Sequence, residues 1–162
     1  MAVWQPAYIG LGSNLSDPAQ QVRQALHELA GLPQTRSVAV SRLYGSRPMG
    51  PVTQPDFVNA VAGVVTQLPA LELLRHLQRL EGAAGRPAVH EHWGPRVIDL
   101  DLLVFGCEQC TSAELVLPHP GVVARNFVLY PLADIAPDLN VPGHGRVREL
   151  LPRVSADGVW LL

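Results

Sequence analysis

Charge is scarce in this chain: only 16% of its 162 residues are Asp, Glu, Lys or Arg. The formal net charge is -2, and the basic residues are scattered. That excludes the broad basic face from which nucleic-acid proteins draw their affinity. An RNA-binding sheet domain would also need exposed aromatics and a basic surface, and the chain has a slight acidic excess instead. No apolar run is long enough to cross a bilayer, and no basic segment followed by an apolar stretch marks a signal peptide. The expectation is a cytoplasmic protein with neither nucleic acid nor membrane as partner. Cysteine is nearly absent, limited to Cys107 and Cys110. One Cys-Glu-Gln-Cys lacks the second pair that a zinc site needs. A redox motif should open a helix after a strand, and this one leads into a polar turn.

What the chain does have is a 48% apolar content, enough for a real core in one domain spanning residues 1–162. Tyr8–Leu11 reads as a short strand. A helix follows, with Asp17 placed to cap, Pro18 at the first helical position and Gln20 as capping-box partner. Its inward face is Val22, Ala25, Leu26 and Leu29, and Gly31 with Pro33 ends it. Ser37–Tyr44 alternates apolar and polar residues as a strand does. Gly45–Pro51 is too rich in Gly and Pro for regular structure. Phe57–Thr66 reads as a third strand. Pro69 opens a second helix with Leu71, Leu74, Leu77 and Leu80 inward, and Arg96–Phe105 forms a fourth strand. The order β-α-β-β-α-β predicts an α+β fold of ferredoxin-like type, an antiparallel sheet with extra C-terminal helices and loops.

Arg96-Val-Ile-Asp-Leu-Asp-Leu-Leu-Val-Phe105 is the most informative segment. Strand alternation puts Asp99 and Asp101 on one face, with Ile98, Leu100 and Leu102 on the other. Two strand residues span roughly 6.6 Å, so the carboxylates can converge on metals about 3.5–4 Å apart. Hard oxygen donors of this kind suit magnesium, which keeps waters and shares phosphate oxygens. The alternative is a structural pair balanced by Arg86 or Arg96. Against it, adjacent like charges on a Val- and Leu-rich strand are costly without a cation, and Asp is a poor strand former.

The loop Gly85–Arg96 before this strand carries two arginines and Trp93. Guanidinium forks match phosphate oxygens bidentately, and phosphoryl-type transfer needs mainly positioning and charge neutralisation. The loop's length and its Gly and Pro content fit a lid over bound nucleotide. His90 and His92 have no third ligand at fixed spacing, so an exposed pair is favoured over zinc. Trp93 is either a core anchor or a stacking plate. Phe57 and Asn59 point to one side of their strand, as a ring and amide facing a flat heterocycle would, although on these two residues alone an ordinary core Phe with a buried, satisfied Asn is favoured. Gly10-Leu-Gly12-Ser-Asn lacks the third glycine of a dinucleotide fingerprint.

Together these residues resemble the 6-hydroxymethyl-7,8-dihydropterin pyrophosphokinase family of folate biosynthesis. The resemblance runs from Tyr8 to about Leu139. It includes Tyr8-Ile-Gly-Leu-Gly-Ser-Asn-Leu15, Gln54-Pro-Asp-Phe-Val-Asn-Ala60, Trp93-Gly-Pro-Arg-Val-Ile-Asp-Leu-Asp-Leu102, Leu117-Pro-His-Pro120 and Arg125-Asn-Phe-Val-Leu129. It implies transfer of the β,γ-pyrophosphoryl group of ATP, the co-substrate, to the pterin hydroxymethyl oxygen, releasing AMP. Asp99 and Asp101 would hold two Mg2+ ions. Arg86 and Arg96 would contact the phosphates as catalytic residues, and Gln78, Glu81, Trp93, His119 and Arg125 would complete the ATP side. Phe57 and Phe127 would sandwich the pterin, with Ser46, Asn59 and the backbone near Met49 on its polar edge. The resemblance assigns no general base. Departures from the family pattern are Ala88 and His92 in place of arginines, Glu114 and Val116 at positions that often touch ATP, Phe57 for tyrosine, and Arg47. A non-catalytic nucleotide- or pterin-binding module on the same fold is the competing expectation.

Overall fold

Alternation along Gln5–Ser13 (β1) buries Ala7, Ile9, Leu11 and Ser13 on one face, as the period of two requires. β1 is an inner strand of the main sheet in a protein whose structure, a computed structural model, describes residues 3–85 and 97–162. Phe57–Thr66 (β4) lies antiparallel on one side of β1, and Asp99–Phe105 (β5) lies antiparallel on the other. Beyond β4 come two short strands, Thr35–Val40 (β2) and Tyr44–Ser46 (β3), each paired with a different half of it. The α+β expectation, an antiparallel sheet with helices packed on it, agrees with this architecture.

Two helices cover one face. Pro18–Ala30 (α1) buries Val22, Ala25 and Leu29, and Ala70–Ala83 (α2) buries Ala70, Leu73, Leu77 and Glu81. They enclose a core with Ile9, Leu11, Ala60, Ala62, Leu100 and Leu102. The opposite face carries Asn126–Ile135 (α3) and the short Val147–Leu150 (α4), with Leu129, Leu132, Val147 and Leu150 packed against Val61, Leu103 and Val104. Both Leu103 and Val104 reach this second core because the β1–β5 register shifts between Tyr8 and Ile9.

Several expectations need correction. The single strand over Ser37–Tyr44 is two strands. Ser41 stays tied to Val61, donating its backbone N–H to the carbonyl and accepting the Val61 N–H on its hydroxyl, both at 2.9 Å. Arg42 then turns away to donate to the Asp134 carboxylate on α3. The capping box at α1 does not form. Asp17 sits in left-handed backbone (φ 61), where its side chain makes no cap, and Gln21 rather than Gln20 closes the turn by donating to the Ser16 carbonyl at 3.0 Å. On α2 the fully buried leucines are Leu73 and Leu77, while Leu71, Leu74 and Leu80 are only partly buried. The described strand β5 starts at Asp99, while Arg96 lies outside the described residues.

The C-terminal part is also more than helices and loops. Cys110–Thr111 (β6) pairs with Val116–Leu117 (β7), and Asn140–Val141 (β8) pairs with Gly145–Arg146 (β9). Val159–Leu161 (β10) returns to the main sheet beside β3, making the order β10-β3-β4-β1-β5. Trp160 lies so close over Gly45 that a Cβ there would meet the indole at 2.3 Å. Cys107 and Cys110 form no disulfide. No described helix is long and apolar enough to cross a membrane.

Candidate active site

Residues directly opposite one another in an antiparallel sheet point to the same side. The register therefore builds two rows on the face away from α1 and α2: Asn59–Gly12–Asp99, and behind it Val61–Gly10–Asp101. Phe57 and Ser46, themselves paired, stand in front of Asn59. Glycine occupies the middle of both rows. A Cβ on Gly12 would lie 3.3 Å from the Asn59 amide oxygen and 3.9 Å from the Phe57 ring. The two glycines thus leave open floor between an aromatic–amide end and a carboxylate end. Above it is a cleft of about 420 Å³.

Every described residue among the sequence candidates lines this cleft: Ser46, Met49, Phe57, Asn59, Gln78, Glu81, Asp99, Asp101, His119, Arg125 and Phe127. Arg86, Trp93 and Arg96, with Ala88 and His92, lie outside the described residues. Glu114 forms a salt bridge with Arg75 at 3.1 Å and, like Val116, does not line the cleft.

Each wall has a local cause. Asn59 is buried and donates to the Ser46 hydroxyl at 2.7 Å, which fixes both polar groups at the front of the floor. Glu81 is buried on α2 and accepts the Leu100 N–H at 2.8 Å, so it satisfies backbone of the edge strand between the two aspartates. His119 donates its backbone N–H to the Leu103 carbonyl at 2.8 Å, and its Nδ1 accepts the Gly121 N–H at 2.9 Å. With Nδ1 occupied as an acceptor, the neutral ring carries its proton on Nε2, which lies 3.9 Å from the Asp101 carboxylate. Burial, seconded by the Arg125 charge and opposed by Asp99, holds this histidine below the ordinary imidazole range. Arg125 precedes α3 and its guanidinium lies 5.9 Å from the Phe127 ring centre, so cation and aromatic wall form one unit.

Two site features escaped the sequence reading. Gln54 lines the cleft, and the buried Asn14 donates to its side-chain oxygen at 2.7 Å and to the Pro55 carbonyl at 3.0 Å. This pins the far end of the segment 47–56 to the end of β1. The Gly12-Ser-Asn14 and Gln54-Pro-Asp-Phe57 motifs were visible separately, but nothing in their spacing shows that they bond each other.

Comparison with known proteins shows the family. Residues 8–137 match the family model for 7,8-dihydro-6-hydroxymethylpterin-pyrophosphokinase. The chain belongs to this family. It is 48% identical to a 2-amino-4-hydroxy-6-hydroxymethyldihydropteridine pyrophosphokinase of Pseudomonas aeruginosa, over 96% of this chain and 95% of that protein. A Haemophilus influenzae protein of the same name is 44% identical, with 92% of each chain covered. Among solved structures, an HPPK-DHPS chain of Plasmodium falciparum superposes with a TM-score of 0.73 at 14% identity, and the likeness covers 94% of this chain. The chain spans 46% of that longer one, and the likeness is one of fold alone.

Proposed function

We propose that this pyrophosphokinase transfers the β,γ-pyrophosphoryl group of ATP to the hydroxymethyl oxygen of 6-hydroxymethyl-7,8-dihydropterin, giving AMP and the pterin diphosphate of folate biosynthesis. The observation that carries the reading is the pair of cross-strand rows, which set an aromatic–amide end and a two-carboxylate end on one glycine floor.

The pterin lies at the front. Phe57 and Phe127 stack on its faces, and Asn59, Ser46 and the backbone near Met49 meet its polar edge. ATP lies at the back, against Gln78, Glu81, His119 and Arg125, with Trp93, Arg86 and Arg96 completing that side. Arg86 and Arg96 neutralise charge on the phosphates as bidentate cations. His119, neutral with its proton on Nε2, donates a hydrogen bond without adding charge.

Two half-buried carboxylates on one strand face fit a hard cation that takes one or two carboxylates and completes its shell with water and phosphate. Asp99 and Asp101 hold two Mg2+ ions, which supply charge neutralisation and alignment for an in-line displacement at phosphorus. The attacking oxygen belongs to the substrate, so the protein needs no nucleophile. Its task is to hold the hydroxymethyl group and the β-phosphorus within reach.

The strands β5, β1, β4 and β2, with α1 and α2, are read as a ferredoxin-like core of two split βαβ units. The chain acts as one domain, a cytoplasmic monomer whose partners are small molecules rather than nucleic acid. Incubation with ATP, magnesium and 6-hydroxymethyl-7,8-dihydropterin, with products resolved by mass, tests the reaction. AMP and pterin diphosphate in equal amounts are expected. ADP with a pterin monophosphate, or ATP binding without turnover, would instead favour another kinase chemistry or a non-catalytic binding module.

A further inference from the structure

The segment that carries Arg47 and Met49 is held at its far end by Asn14, as described above. Its near end is held from the opposite direction, by the C-terminal part of the chain. Asn126, the first residue of α3, uses both hydrogens of its side-chain amide, donating to the Ser155 carbonyl at 2.9 Å and the Asp157 carbonyl at 2.8 Å. The Ser155 hydroxyl accepts the Asp157 N–H at 3.0 Å, closing the turn. Gly158 follows with φ 76, a left-handed conformation that a side chain disfavours, and this aims its carbonyl at the Arg47 N–H, which donates to it at 3.0 Å. The next residue, Val159, pairs with Ser46.

This chain of contacts joins the two walls of the cleft. On one side is α3, with Arg125 and Phe127 flanking Asn126 directly. On the other are Ser46, Arg47 and Met49. Behind them lies a second cavity of about 520 Å³, lined by Asn126, Asp157 and Gly158 among others. Arg47, Met49, Arg125 and Phe127 line both this cavity and the cleft. The partition between the two spaces is therefore a single layer of side chains with room behind it. Apolar packing holds Phe127 to the second core, whereas the facing segment at Ser46 and Arg47 is held by hydrogen bonds to its backbone.

We propose that Asn126 is a positioning residue for the heterocyclic substrate: through the turn 155–158 it sets the distance between Phe127 and the segment that begins at Ser46, and so the width of the pterin slot. The proposal rests on the pterin reading above. Asn126 itself lines only the rear cavity, and the carboxylate end of the cleft is not part of this linkage.

The test uses Asn126→Ala, the near-isosteric Asn126→Asp, which removes both donors, and Gly158→Ala, which perturbs the other end of the linkage. Amide hydrogen exchange and steady-state kinetics are measured on each and on the unmodified protein. At least one soluble, folded variant suffices. The expected result is Arg47 amide exchange faster by about tenfold or more, while the β1 amides stay as protected as before. KM for the pterin rises about fivefold or more, and KM for ATP, only one of whose contacts (Arg125) adjoins Asn126, rises clearly less. A general loss of stability would instead speed exchange everywhere and leave the two KM values unseparated. An Arg47 amide as protected as in the unmodified protein, or equal changes in both KM values, would overturn the proposal. Should the unmodified protein fail to turn over the pterin, the functional reading fails, whereas the exchange result still decides whether the linkage exists.

Discussion

At the scale of single residues, the smallest side chains shape the site most. Gly10 and Gly12 occupy the strand positions between the aromatic–amide end and the carboxylates, where any alternating sequence would place a side chain into the cleft. Gly12→Val should fill the floor in front of Asn59, because even one Cβ stands 3.3 Å from that amide. A β-branched residue suits a strand, so the fold should survive. Pterin affinity, followed by fluorescence titration, should fall by about tenfold or more while the melting temperature changes little. An unaltered affinity would mean that the heterocycle does not lie over Gly12. The role of these glycines was not legible in the sequence. As a motif, Gly10-Leu-Gly12 invites only comparison with a dinucleotide fingerprint, and the register shows the glycines to be floor rather than turn. Asp99 and Asp101 were legible, because strand alternation alone puts them on one face.

At the scale of elements, α3 is fastened to the sheet by a charge cluster as well as by its apolar side. Asp134 accepts from the Arg42 guanidinium at 2.8 Å and from the Tyr44 hydroxyl at 2.8 Å. Burial alone would raise this carboxyl, but the hydrogen bonds from Arg42 and Tyr44 outweigh it and hold the group below the usual carboxylate range. Its folded pKa is thus lower than its unfolded one. The stability it contributes is fully present above the unfolded value and is lost as pH falls through the folded one. Asp134→Asn should lower the melting temperature at pH 7, and the difference from the unmodified protein should shrink as pH falls below the ordinary aspartate range. An equal difference across that pH range would show that the carboxylate's charge plays no part. The same cluster explains why the strand read over Ser37–Tyr44 is broken. Arg42 has a partner 92 residues away, and no local pattern announces such a contact. Phe57–Thr66, by contrast, was readable to the residue, since a Val-rich run bounded by Pro and Asp at one end and Pro69 at the other has little else to become.

At the scale of the whole molecule, the sheet separates two jobs. One face with α1 and α2 is a plain apolar core, and the other face carries both the second core and the cleft. The first could be read from helical and strand periodicity. The second is assembled from the ends of β1, β4 and β5 and from C-terminal segments with little periodicity of their own, which is why β10 and the small hairpins were not anticipated. That the separated motifs nonetheless meet in one cleft follows from antiparallel register, and the central claim about them concerns the two aspartates. Asp99→Ala and Asp101→Ala should each leave the circular dichroism spectrum and melting temperature near those of the unmodified protein. Each should also lower the magnesium-dependent release of AMP from ATP and 6-hydroxymethyl-7,8-dihydropterin by about a thousandfold or more. AMP release within about tenfold of normal by either folded variant would contradict the assignment of the pair to the metal ions.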